Sequence, residues 1–213
     1  MRPAVLFRAA LFVVALAVGS SAVLADSGAP VAESCPQSPE TRYFPVGTFG
    51  SRDNEFVREW YSKNLVAMEE PSLSCGDAGG SEIYRFLWLP AFSDSVVVRV
   101  FQRNDDYGLE AVMLSGPGGY DAGRYNPGHV SHRVTRALSR DEWQTVIARL
   151  EAIQFWQMTT TGGNFGEDGA MWILEARRNG RYHIVHRWLG TDTALRSVGR
   201  LFVNLANLKA GGP

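Results

Sequence analysis

The chain has 213 residues, 45% hydrophobic and 20% charged, with a formal net charge of −1. Those proportions belong to a globular protein and exclude a wholly disordered chain, a collagen-like chain and a multi-pass membrane protein. At about 150 residues per domain, one folded unit with a tail is expected, and the near-neutral balance gives no support for nonspecific nucleic-acid or membrane-surface binding.

Residues 1–25 read as a signal peptide. Arg2 and Arg8 make a basic start, an apolar run follows from Ala9 to Val18, and small residues lead to Val23-Leu24-Ala25 before Asp26. That order matches a secretory leader cleaved after Ala25. The apolar run is shorter than the roughly 20 residues a spanning helix needs, which weighs against a membrane anchor. Cys35 follows Ala32-Glu33-Ser34 well beyond the apolar core, which weighs against a lipoprotein. Cleavage removes two arginines and no acid, leaving 19 basic against 22 acidic residues and a balance of −3. The expected location is secreted or periplasmic, with no stable transmembrane segment left.

Residues 26–50 form a Pro-rich arm (Pro30, Pro36, Pro39, Pro45), and residues 51–213 a single α+β domain. In an oxidising compartment Cys35 and Cys75 are expected to pair, closing a loop of about forty residues worth roughly 4 kcal/mol at most. No Cys-x-x-Cys suggests a redox pair.

Ser51 or Asp53 can cap a first helix to about Glu69, with Phe56, Trp60, Asn64 and Ala67 on one face and Pro71 past its end. Ile83 to Leu89 is aromatic and branched and stops at Pro90, so a strand is expected; Ser95 to Arg103 and Leu109 to Leu114 make a hairpin about a turn at Asn104–Gly108. A loop spans Ser115 to Gly128, and a strand alternates from His129 to Leu138. Ser139-Arg140-Asp141-Glu142 is a capping box opening a helix to about Phe155. A Gly/Thr-rich loop precedes a hairpin, Met171–Arg178 and Arg181–Leu189, about Asn179-Gly180, the favoured pair for a type I′ turn. Its two-residue loop sets Arg178 against Arg181, Ala176 against His183, Leu174 against Val185 and Trp172 against Arg187. A final helix runs from Thr191 or Asp192 to about Asn207. The expected architecture is an antiparallel sheet of four to six strands, with the two C-terminal helices packed on one face and one N-terminal helix.

The order Glu142-Trp143, Phe155-Trp156, a Thr/Gly loop, Gly166-Glu167-Asp168-Gly169, Trp172-x-Leu174-Glu175, Asn179-Gly180-Arg181-Tyr182-His183, Arg187-Trp188 and an amphipathic helix is similar to a group of uncharacterised exported bacterial proteins. The resemblance covers roughly residues 82–208. It implies a small α+β domain outside the cytosol, and it carries no assigned activity, so no catalytic residue transfers from it.

Candidate binding residues are Trp172, Arg178, Arg181, His183 and Arg187 on one hairpin face, with Glu175 on the other and Tyr125 in the long loop. The first face reads as an anion or glycan contact surface, or more plainly as a solvated strand face whose arginine stems cover tryptophan. Glu175 lies among Ile173, Tyr182, Ile184 and Trp188. If buried, it needs a partner, with Arg177 or His186 nearest on that face, and an unpaired carboxylate there would mark a site. The pairs His129-x-x-His132 and His183-x-x-His186 cannot chelate from regular strands, because residues three apart point to opposite faces. No metal or cofactor site is expected, and no nucleophile, P-loop or dinucleotide motif occurs. The leading expectation is an exported binding or interaction module for a protein, glycan or small anionic ligand. The alternatives are a small secreted hydrolase-like enzyme using Glu175, Asp168 or His183, and a structural cell-envelope protein.

Overall fold

The computed structural model describes residues 43–50, 54–75, 82–118, 126–163, 169–188 and 192–208, all within one compact unit, Ala32–Pro213. Helix α1 spans Asn54–Ala67. Strands β1 (Glu82–Pro90), β2 (Asp94–Arg103), β3 (Asp106–Pro117) and β4 (Val130–Ala137) follow. Then come α2 (Arg140–Ala152), a short 3-10 helix (Phe155–Gln157), β5 (Ala170–Arg178), β6 (Arg181–Trp188) and α3 (Thr193–Ala206). The strands form one antiparallel sheet in the order β4-β3-β2-β1-β5-β6. Among the described residues no helix is long and apolar enough to cross a membrane.

The central strands β1 and β5 are near-continuous apolar runs because both faces of the sheet are covered. On one face Tyr84, Phe86, Val96, Val98, Val100, Trp172, Leu174 and Val185 meet Trp143, Val146 and Leu150 of α2 and Leu195, Val198 and Phe202 of α3. On the other, Leu87, Val97, Val112, Ile173 and Ile184 meet Val57, Trp60, Tyr61, Leu65 and Met68 of α1, together with Tyr43, Phe44 and Phe49. The folded core thus takes in residues ahead of position 51. The Tyr43 hydroxyl donates to Glu70 O at 2.7 Å and Arg58 Nε to Phe44 O at 3.2 Å.

Local signals explain the ends of the elements. Ser139 and Glu142 form the reciprocal capping box, and Arg136 adds a second hold on Glu142 at 2.8 Å. That guanidinium, with the Ser139 amide, holds the Glu142 carboxyl down at about 2. The Asp192 side chain caps α3 by accepting from the Leu195 amide. α1 closes without a glycine. The Glu70 N–H reaches Leu65 O and the Glu69 N–H reaches Val66 O, while Glu69 takes the left-handed conformation at φ 58°. This pair of bonds ends a helix in a reversal that glycine adopts more cheaply.

Two elements differ from expectation. The turn after β2 is the two residues Asn104–Asp105, since Arg103 already pairs with Asp106. Gly108 is therefore a strand residue. The Phe101 ring lies over it and leaves no room for a Cβ. The run after α2 ends in the separate 3-10 turn, entered through Gln154 at φ 52°. α3 approaches the sheet through Gly199, where a Cβ would stand 2.5 Å from both Phe86 and Trp172.

Candidate functional site

The β5–β6 hairpin has the register its turn dictates: Arg178 faces Arg181, Ala176 faces His183, Leu174 faces Val185 and Trp172 faces Arg187. The surroundings of these residues correct the expected solvated face. Trp172 is 2% exposed and packs 5.3 Å from Phe86 beneath α3. Arg187 is buried as well. Its guanidinium donates to Thr159 O at 2.8 Å and Thr160 O at 3.0 Å, and lies 3.4 Å from the Asp192 carboxylate. These two residues are structural, because β5 is an inner strand and the segment 159–161 covers the outer edge of β6.

The aromatic and basic cluster re-forms at the hairpin tip around a different tryptophan. Trp156, delivered by the 3-10 turn, has the guanidinium carbons of Arg181 and Arg178 over its ring, 5.1 Å and 5.8 Å from the centroid. His183 stacks on it at 5.9 Å and 30°. Arg181 also donates to Trp156 O at 3.3 Å, and Arg178 lies 3.5 Å from the Glu82 carboxylate. Both arginines are exposed and Trp156 is half-buried. Burial, reinforced by nearby Arg181, lowers the His183 pKa, so at neutral pH the cluster's positive charge resides in the two guanidiniums.

Glu175 is fully buried on the α1 face, and its partner is Arg85, its register neighbour on β1. Arg85 Nε and Nη2 donate to Glu175 Oε2 at 2.8 Å and 2.6 Å, and the Tyr182 hydroxyl donates to Oε1 at 2.8 Å. The residues at this level form one rung across four strands, Glu110, Arg99, Arg85 and Glu175. Glu70, swung inward by the reversal at Glu69, bridges the two arginines, 2.9 Å from Arg99 and 3.5 Å from Arg85. Arg99 completes the chain to Glu110 at 2.6 Å. Three carboxylates thus meet two guanidiniums. Desolvation raises the Glu175 pKa against the opposing pull of Arg85, and burial beside Glu175 keeps Tyr182 a neutral donor. The inner members Arg85, Glu175 and Glu70 are buried, with only Glu110 at the end of the rung partly exposed, so Glu175 acts as a structural ion-pair member in this conformation.

The histidines separate by face. His183 lies on the Trp156 side, and His186 is buried against Phe49 and 3.1 Å from the Tyr61 hydroxyl, its pKa pushed down to about 4 by burial and by Arg187. His129 and His132 are exposed on and beside β4. Among the described residues no three His, Cys, Asp or Glu side chains converge as metal ligands. Tyr125, Asp168 and Cys35 lie outside the described residues, and Cys75 is half-buried after α1.

The residues missed from sequence are Trp156, Arg85 and Glu70. Trp156 carried a weak signal, an aromatic beyond the apolar stripe of its helix. Arg85 carried a stronger one, a lone charge inside the apolar run of β1. Comparisons with protein-family models, with curated proteins and with solved structures found no match, so the candidate site is defined by its own geometry.

Proposed function

We propose that the chain is an exported binding module whose contact surface is the tip of the β5–β6 hairpin, taking an anionic group between Arg178 and Arg181. The observation that carries this reading is the pair of exposed guanidiniums over one indole. Like charges directly opposite on an antiparallel pair are destabilising, and Arg178 and Arg181 are such a pair. A bound carboxylate, sulfate or phosphate relieves that repulsion and matches the planar fork of guanidinium donors. Arg178, Arg181 and His183 already occupy the indole, which favours recognition of an anion over stacking of a neutral sugar. The leader sequence and the expected Cys35–Cys75 bridge support an extracytosolic setting for this activity.

The test is a titration followed by tryptophan fluorescence, with a sulfated oligosaccharide and separately with citrate, at low and at physiological ionic strength. Binding is expected to be tighter at low salt and to weaken about tenfold or more in the Arg178→Ala/Arg181→Ala variant, or roughly 1.4 kcal/mol. No response to either anion, or equal binding by the variant, overturns the reading.

A further inference from the structure

The two outer strands of the sheet are finished differently. In β6 the residues whose main chain turns outward include His186, and its N–H donates to Thr160 O at 2.9 Å. With Arg187 holding Thr159 O and Thr160 O, the segment after α2 closes that edge. Among the described residues β4 has no such cover. The Leu138 N–H donates to Tyr107 O, and antiparallel partners alternate between bonded and non-bonded pairs. Arg136, Val134 and His132 therefore bond to β3, while Ala137, Thr135 and Arg133 turn N–H and C=O away from the sheet. Among the described residues only the Ala137 carbonyl is taken, by the Arg136 side chain at 3.0 Å. Arg133, Thr135 and Ala137 are all exposed.

The charge along this edge has one sign. From Asn126 to Arg140 the chain carries Arg133, Arg136 and Arg140 and no acid, and Arg136 is paired with Glu142 at 2.8 Å. Among the described residues Arg133 is held only by Glu69 at 2.8 Å, with side chains 43% and 75% exposed. A pair that exposed is weak and exchangeable. A second copy of the chain would set two basic strands side by side, which like-charge repulsion disfavours. A strand of opposite charge has neither obstacle.

We propose that β4 docks an extended acidic segment of a partner protein as a seventh strand. Its main chain bonds the outward groups of Arg133 and Thr135, and its carboxylates meet Arg133 on the α1 side. The rival role for these charges is to repel strands of any kind, as edge charges commonly do; the two roles predict opposite results.

The experiment is amide hydrogen exchange by NMR on the full chain, with and without a synthetic peptide of alternating Glu and Val. The peptide is expected to slow exchange at the Arg133 and Thr135 amides. Arg133→Glu should weaken its binding about tenfold or more. Thr135→Pro removes an outward N–H that the fold does not use, as proline at an exposed edge position does. It should abolish binding while leaving the unfolding transition in place. The proposal is overturned by unchanged exchange at those amides, by equal binding of a Lys/Val peptide, or by protection without peptide, whether it grows with protein concentration, as for a second copy, or is independent of it, as for a segment of the same chain.

Discussion

Both faces of the sheet bury aromatic and branched side chains, but buried charge is concentrated on one of them. Under α2 and α3 the contact is mostly hydrocarbon and aromatic rings, with a single Arg187–Asp192 pair beside α3, and the indole N–H groups of Trp88 and Trp172 have no acceptor among the described residues. Under α1 a rung of five acidic and basic side chains spans four strands, beside the buried Arg58, Asn64 and His186. Apolar packing gains free energy wherever shapes fit and tolerates several helix placements of similar depth. A buried rung is tolerated only when every partner is in place. The α2/α3 face therefore supplies stability, and the α1 face supplies a single permitted position for α1 and the chain around it. Glu70 is the link, since it joins the rung only if α1 ends in the reversal at Glu69.

The largest expected effect breaks the charged face. Arg85→Ala leaves Glu175 and Glu70 without their shared cation, and urea unfolding should show a loss of about 3–5 kcal/mol. Replacing the pair together, Arg85→Met with Glu175→Leu, should recover most of it, because a hydrophobic pair needs no desolvation. If the double variant is as damaged as the single one, the rung contributes stability and the contrast between faces fails.

On the apolar face, Gly199→Ala should cost about 1–3 kcal/mol by overpacking against Phe86 and Trp172, partly offset by the better helix propensity of alanine. A gain in stability would mean that α3 moves off the sheet freely.

The pH dependence sharpens the comparison. The Glu175 pKa is raised in the folded chain, so the folded state holds that proton more tightly than the unfolded one. Its contribution to stability is present below the ordinary carboxylate pKa and is lost as pH rises through the raised value. Thermal unfolding followed upward from pH 4.5 should decline, and Glu175→Gln should flatten the decline. Glu142 runs the other way. Its contribution is present above about 4.5 and is lost as pH falls toward about 2. A profile of Glu175→Gln identical to the parent would show that the rung does not carry the shift.

The smallest effect concerns the reversal. Glu69→Gly removes a left-handed non-glycine residue and should stabilise by up to roughly 1 kcal/mol, less the exposed pair with Arg133. A loss of stability would assign that pair more weight than its exposure suggests.

Much of the fold was legible along the chain because it rests on neighbours. The capping box at Ser139, the turn at Asn179-Gly180 with every pair of its hairpin, and the stripe of α3 each depend on residues within a few positions or on a two-residue loop. Gly108 misled for the same reason: a glycine beside Asn-Asp-Asp reads as a turn until the ring of Phe101 is placed over it.

The candidate site was half legible. Arg178, Arg181 and His183 stand in the sequence as one cluster on the strand face of Trp172, but the indole they meet is that of Trp156, brought in by a left-handed residue at Gln154. Glu175 was singled out correctly as a carboxylate needing a partner, and that partner lies 90 positions away.

What the amino-acid sequence determined by itself is the kind, extent and local register of the elements, since backbone preferences, caps and turns act over a few residues. What only the tertiary structure decided is which strand lies beside which, hence that β5 sits between β1 and β6, that β4 ends the sheet among the described residues, that Trp172 is core and that Arg85 answers Glu175. Those outcomes depend on contacts between segments far apart in the chain, where apolar burial rewards many pairings alike and only the full set of packed faces and buried charges selects one.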